Sequence, residues 1–241
     1  WSQKKNVPLW KLLGCDNTNS METSFTIAIG RIEEIERKII EADPYNILKV
    51  KLGTPNNDKK IIKEIRKFTD KIIRVDANEG WDFDTSVEMC NWLADRNVEF
   101  VEQPFPAKDL EKSEKLTKIS PLDIYADENS RNGKDINKVK NSFDGINIKL
   151  MKCGSIDEAL EMVMLAKNYN LKIMLGCMVE TSVGITAAAS IASVVDKVDL
   201  DGNLLIKNDP YEGVKVVNGK ISLPHSSGLG LKLISKNNRL L

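Results

Sequence analysis

Short apolar runs rich in β-branched residues alternate with amphipathic stretches along almost the whole chain. Eight runs predict strands, over residues 25–29, 47–52, 72–77, 98–104, 122–128, 145–151, 172–177 and 198–203. Between them Ile32, Ile35 and Ile39 return at helical spacing, as do Ile61, Ile65 and Phe68, then Ile156, Ala159, Leu160 and Val163, so each intervening segment can cover a strand. Thr85 with Glu88 and Ser155 with Glu158 have capping-box spacing and predict two helix starts. Weaker helices are expected over 109–119 and 135–143, and an Ala-rich one from near Ser182. Strand–helix alternation of this kind is the pattern of parallel strands with crossover helices. Eight such units close most economically as an α/β, TIM-type (β/α)₈ barrel, with a doubly wound open sheet as the alternative. No G-x-G-x-x-G follows the first strand and no Walker loop occurs, which argues against a nucleotide-binding open sheet.

Beyond Asn203 the pattern changes. Residues 214–217, the Asn218-Gly219 turn and residues 221–223 predict a hairpin, followed by a Gly-rich tail. Neither a linker nor a low-complexity block interrupts the chain. One domain over 1–241 is expected, with an entry segment (1–24), the barrel (25–203), and the hairpin and tail (204–241).

Composition narrows the chemistry. With 35 basic and 35 acidic residues the chain has no net charge, so neither nucleic acid nor an anionic membrane is an expected partner. No apolar run approaches the roughly 18 residues of a spanning helix. Cys15, Cys90, Cys153 and Cys177 are spread singly, as reduced cysteines in a cytoplasmic protein would be. His225, in the tail, is the sole histidine. A His-centred triad, a multi-His zinc site and a His general base are therefore disfavoured, and lysines and carboxylates must carry any acid/base work.

Those residues recur where strands end. The second predicted strand carries Lys49 and Lys51, the third Asp76, the fourth Glu102, the fifth Asp127 and the sixth Lys149, each about one strand–helix unit after the last. Equivalent positions at C-terminal strand ends meet at one barrel mouth. Asp76, Glu102 and Asp127 would converge there and repel one another unless they hold a cation; three hard oxygen donors suit Mg²⁺, with Mn²⁺ as the alternative. The plainer reading is that each caps a helix or pairs with a surface lysine. Lys49 and Lys51 point to one side of their strand, and in a barrel of eight the second and sixth strands face each other. Lys51 and Lys149 would then flank a ligand on the metal, an arrangement suited to removing a proton from one face of a carbon and returning it to the other. Lys49 and the metal both disfavour a further charge on Lys51. Against this stands the reading of all three as surface lysines. Asp199 and Asp201 also point together and call for a cation, either a second metal or a substrate ammonium, although Asp201 before Gly202 reads equally as a turn residue. Glu180 reads as a helix cap, Cys177 as a pocket-lining or core residue, and His225 as incidental.

Together, Lys49-Val50-Lys51, Asp76-Ala77-Asn78, Glu102-Gln103-Pro104, Asp127-Glu128 and Asn147-Ile148-Lys149 resemble the muconate-lactonizing-enzyme subgroup of the enolase superfamily. Asp199-Leu200-Asp201 is most similar to its dipeptide epimerases, of the L-Ala-D/L-Glu epimerase type. The resemblance runs from Leu9-Trp10-Lys11 into the tail. It implies a (β/α)₇β barrel variant, Mg²⁺ on Asp76, Glu102 and Asp127, and Lys51 and Lys149 as an opposed acid/base pair. It further implies that Lys49 polarises the substrate carboxylate, that Asp199 and Asp201 bind a dipeptide's α-ammonium, and that Thr26, Cys177, Met178 and Val179 contact substrate. The implied activity is inversion of the α-carbon of the C-terminal residue of an Ala-Glu-like dipeptide, by two-base 1,1-proton transfer through an enediolate, in peptidoglycan peptide recycling. An o-succinylbenzoate synthase or N-acylamino-acid racemase on the same fold is the nearest alternative; a non-catalytic binding or assembly barrel is the alternative of another class. Members of this family carry an N-terminal α+β capping domain. The chain begins about where that domain would end, so the expectation is a barrel excerpt of a longer protein, with little turnover alone and homo-oligomerisation left open.

Overall fold

The computed structural model describes residues 1–15 and 21–234; residues 16–20 of the expected entry segment and 235–241 of the expected tail lie outside the described residues. After a short helix α1 (Leu9–Leu12), strand and helix alternate as β1 (Phe25–Ile27), α2 (Ile35–Glu41), β2 (Ile47–Lys51), α3 (Pro55–Phe68), β3 (Ile72–Asp76), α4 (Phe83–Ala94), β4 (Val98–Glu102), α5 (Leu110–Thr117), β5 (Asp123–Ala126) and α6 (Gly133–Val139). The series continues with β6 (Gly145–Lys149), a single turn α7 (Leu150–Cys153), α8 (Ile156–Asn168), β7 (Lys172–Gly176), α9 (Ser182–Ala189) and β8 (Lys197–Asp199). The eight strands pair in sequence order, β1 to β8, and every pairing is parallel. That order is a barrel's, not a doubly wound sheet's. Each crossover carries a helix over the strands, and β8 is followed instead by a 3₁₀ turn (Gly202–Leu205), giving the (β/α)₇β form.

The barrel is nearly closed. Among the described residues no ladder joins β8 to β1. The seam is made by a parallel bridge from Thr23 to Val198, by the Leu200 amide donating to Thr23 Oγ1 (2.7 Å), and by the Thr26 amide donating to Asp201 Oδ2 (2.7 Å).

All eight expected strands are present, and each ends earlier than the apolar pattern indicates. After β3 and β4 the backbone leaves the ladder once the inward carboxylate is placed: Asn78, Glu79 and Gln103 have φ of 43°, 63° and 41°, in the left-handed region. The Thr85 capping box is corrected, because α4 starts earlier with Asp82 as its cap, accepting from the Thr85 amide at 2.8 Å. Ser155 does cap α8, while Glu158 turns away to accept from the Gly133 amide (2.7 Å). Glu180 is not the cap of α9: it accepts from the Met178 amide, and the first amide of α9, Ser182, donates to Asp209. The expected hairpin is observed. A short strand β9 (Tyr211–Glu212) comes first, then the antiparallel hairpin of β10 (Lys215–Val217) and β11 (Lys220–Ser222); β12 (Lys232–Leu233) pairs with β9, an interaction that the sequence pattern did not reveal.

Two apolar regions result. The larger lies between strands and helices and includes Ile62, Ile65, Leu93, Val101, Ile148 and Ala189. The smaller lies inside the barrel, where Phe100, Tyr125 and Met174 are fully buried and the two rings stack at 4.3 Å between centroids. Beside them Arg74 donates to Glu99 (2.8 Å) and to the Val198 carbonyl (2.7 Å). This layer forms a floor. Above it, the inward positions that follow Arg74, Phe100 and Tyr125 toward the strand ends are carboxylates.

Candidate active site

Because side chains alternate along a strand, the residue two beyond each floor position points to the same interior. Arg74 is thus followed by Asp76, Phe100 by Glu102 and Tyr125 by Asp127. One oxygen of each of these carboxylates lies within 4.8 Å of the others, and all three residues are buried. Glu102 Oε2 lies 2.8 Å from Lys49 Nζ but accepts no well-directed hydrogen bond. The donor set is oxygen only, which fits a hard divalent cation.

Lysines surround the triad. Lys51 Nζ lies 2.6 Å from Asp76 Oδ2, and Lys149 Nζ lies 2.7 Å from Asp127 Oδ2. Their settings differ: the Lys51 side chain is 28% exposed and that of Lys149 only 4%. Lys49 is deeper, 2.8 Å from both Glu102 and Asp199 and 3.4 Å from Asp76. Asp199 also accepts from Ser24 Oγ at 2.6 Å. Among the described residues no lysine or arginine reaches ion-pair distance of Asp201, the other member of the strand-eight pair.

Burial and charge divide these groups. Burial, reinforced by Asp76, pushes the Glu102 carboxyl up to about 7 despite Lys49. For Asp127 burial acts the same way but is outweighed by Lys152, Lys149 and Lys49, which hold the carboxyl well below its usual range. Burial and the neighbouring Asp199 raise Asp201 to about 6, whereas Lys49 keeps Asp199 low against its burial. Burial would lower Lys149, but Asp127 and Glu102 raise it overall; Lys49 is raised in the same way by Asp199, Glu102 and Asp76.

The remaining residues singled out from sequence lie around the same mouth. Thr26 sits on β1 with its amide on Asp201. Cys177 follows β7, half-buried, its thiol raised by burial and by Asp199 and Asp201. Met178 and Val179 are exposed beside it. His225 stands apart, edge-on to Trp10.

Three participants escaped the sequence reading as site residues. Asn147 donates to Glu102 Oε1 at 2.7 Å. Gly176 makes room for that amide, since a Cβ there would lie 2.4 Å from Asn147 Oδ1. Lys152, on α7, donates to Asp127 Oδ1 at 2.6 Å. The signal for Lys152 is its spacing of three from Lys149, just past the residues 145–151 expected to form the sixth strand.

The family model described as Enolase C-terminal domain-like matches residues 31–236. The chain belongs to this family. As an enolase C-terminal domain-like chain it is 44% identical over 230 residues to the L-Ala-D/L-Glu epimerase of Bacteroides thetaiotaomicron, an alignment covering 95% of this chain and 60% of that protein. The substrate-liganded L-Ala-D/L-Glu epimerase of Bacillus subtilis superposes with a TM-score of 0.90 at 33% identity, covering 96% of this chain and 68% of that one. The dipeptide epimerase of Enterococcus faecalis, complexed with Mg and L-Leu-L-Tyr, superposes at 0.89 and 33%, covering 96% and 69%. The enolase-type barrel described above therefore spans three-fifths to two-thirds of the length of these relatives. Among the described residues no helix is long and apolar enough to cross a membrane.

Proposed function

We propose that this chain is the barrel domain of a Mg²⁺-dependent dipeptide epimerase. The observation that carries the reading is the Asp76–Glu102–Asp127 triad with Lys51 held at one outer carboxylate and Lys149 at the other. These lysines come from β2 and β6, four strands apart in a ring of eight. Asp76, Glu102 and Asp127 would hold Mg²⁺, which would supply positive charge for a substrate carboxylate and so acidify the adjacent α-carbon. Lys149 and Lys51 then address opposite faces of that carbon: one amine takes the α-proton as the C–H bond breaks, and the other returns a proton to the opposite face. Asp127 is the chief charge holding Lys149 protonated; a cation held by Asp127 would weaken that hold. Lys49, pinned among three carboxylates, keeps the centre assembled and presents positive charge toward the substrate carboxylate.

Asp201, with Asp199 behind it, takes the free ammonium of a dipeptide, and Thr26, Cys177, Met178 and Val179 line the approach. An N-acylamino acid or a dehydratase substrate has no ammonium to offer these two aspartates. Ala-Glu units from peptidoglycan are the substrate class proposed, and the free thiols of Cys90, Cys153 and Cys177 fit a reducing cytoplasmic setting.

The test incubates the full-length polypeptide with Mg²⁺ and a panel of dipeptides in D₂O, following α-deuterium incorporation and inversion by NMR. Exchange and inversion of L-Ala-L-Glu or a related dipeptide support the reading. Turnover of N-acyl or dehydratase substrates with no dipeptide exchange overturns it, and silence throughout points to a binding barrel.

A further inference from the structure

Beyond the two lysines of the proton-transfer pair, a third lysine reaches the centre. The chain leaves β6 at Lys149 and makes the single turn α7, which Gly154 ends in a left-handed conformation (φ 86°). Within that turn Lys152 is carried back over the ends of β5 and β6. Its ammonium meets three acceptors, Asp127 Oδ1 at 2.6 Å, the Asp127 carbonyl at 2.6 Å and the Asn147 carbonyl at 2.9 Å. An ammonium has three protons, so this tripod uses them all. The side chain is only 10% exposed. Lys149 takes the other oxygen of the same carboxylate, Asp127 Oδ2.

We infer that Lys152 is a positioning residue, fixing the rotation of Asp127 so that Oδ2 faces the centre while Oδ1 is held away from it. The inference rests on the reading of Asp127 as a metal ligand. An acid or base role does not suit Lys152, because none of its protons is aimed at the open mouth. The tripod also joins ligands: Asn147, whose carbonyl it holds, donates through its side chain to Glu102 Oε1, so one ammonium ties two of the three carboxylates to neighbouring strand ends. Partners of this kind behind a metal ligand are ordinarily worth ten- to a hundredfold in affinity or activity.

Simple electrostatics gives the opposite sign, and this makes the idea testable. A cation beside a metal centre repels the metal, so its removal should tighten binding if charge alone matters. The experiment titrates Mg²⁺ calorimetrically, without dipeptide, into the full-length protein and its Lys152→Met and Lys152→Gln variants, with circular dichroism as the check of folding. The expected result is a Kd for Mg²⁺ raised about 10- to 100-fold by Lys152→Met and less by Lys152→Gln, which retains two donors. Unchanged or tighter binding in a folded variant overturns the inference. Reductive methylation of the wild type, read by mass spectrometry, decides the matter without any variant: Lys152 is expected to resist modification with and without Mg²⁺, and its modification on Mg²⁺ addition overturns the role. Failure of the wild type to take up Mg²⁺ would instead remove the functional reading itself.

Discussion

Lys49 Nζ lies 2.8 Å from Asp199 Oδ2, an ion pair that runs from β2 to β8 across the one seam of the barrel without a ladder. Ser24 Oγ, just ahead of β1, holds the other oxygen of Asp199. The two aspartates at the end of β8 thus differ: Asp199 is tied across the seam of the barrel, whereas among the described residues Asp201, just beyond the strand, has no lysine or arginine within ion-pair distance.

Substituting the two aspartates should expose this difference. Asp199→Asn breaks a buried pair and is expected to cost about 3 kcal/mol of folding stability, measured by urea denaturation. Asp201→Asn removes a carboxylate that the fold keeps reluctantly charged. It should leave stability at pH 7 unchanged or raise it by about 1–3 kcal/mol, while the KM for a dipeptide increases at least tenfold. Equal effects of the two substitutions on KM would contradict this.

The pH dependence follows from Asp201, whose carboxyl is raised to about 6 by burial and Asp199. Because the folded pKa lies above the unfolded one, ionised Asp201 opposes folding above about pH 6, and that penalty is relieved as pH falls through 6. Ligand binding runs the other way, since only the ionised form attracts an ammonium. The dipeptide KM is expected to rise as pH drops from 7 to 5, and Asp201→Asn should lose this dependence.

Unequal exposure of Lys51 and Lys149 predicts an isotopic signature for the proposed proton transfers. The Lys51 side chain is 28% exposed and that of Lys149 4%, so Lys51 is expected to exchange its protons with solvent more readily. In D₂O, the stereoisomer deprotonated by Lys149 is expected to retain more substrate-derived hydrogen than the one deprotonated by Lys51. Single-turnover mass spectrometry of both isomers measures this, and equal retention would show that both amines see the same water. Lys51→Ala and Lys149→Ala should each abolish inversion, with at least a 10³-fold loss of kcat.

Asp58 offers a test on the fold side. It is fully buried on α3, accepting from Trp81 Nε1 (2.7 Å), from the amides of Gly53 and Thr54, and from Thr54 Oγ1, so it binds the loops that follow β2 and β3. Asp58→Ala strands these donors and is expected to destabilise by about 3 kcal/mol, lowering Tm by about 10 °C in a scan. Activity should fall as well, because Lys51 and Asp76 precede those loops.

The same residue shows where sequence reading reaches its limit. The barrel, its strand order and the acid triad were legible because charge at the end of an apolar run recurs once per unit, and closure turns recurrence into proximity. Asp58 was not, since in Pro-Asn-Asn-Asp at a helix start it looks like solvated surface. Lys152 was hidden by a local event, the passage from strand to a single helical turn, which changes the residue's direction without changing its polarity. The pairing of Lys49 with Asp199 was hidden too: it depends on a seam between two three-residue strands, and no periodicity records which edges of a sheet fail to meet.

The layer of Phe100, Tyr125, Met174 and Arg74 beneath the charged mouth gives the vessel a single door. A ligand of the charged mouth would enter and leave through the same opening. For the proposed inversion, the two epimers would share that door, so each is expected to inhibit entry of the other.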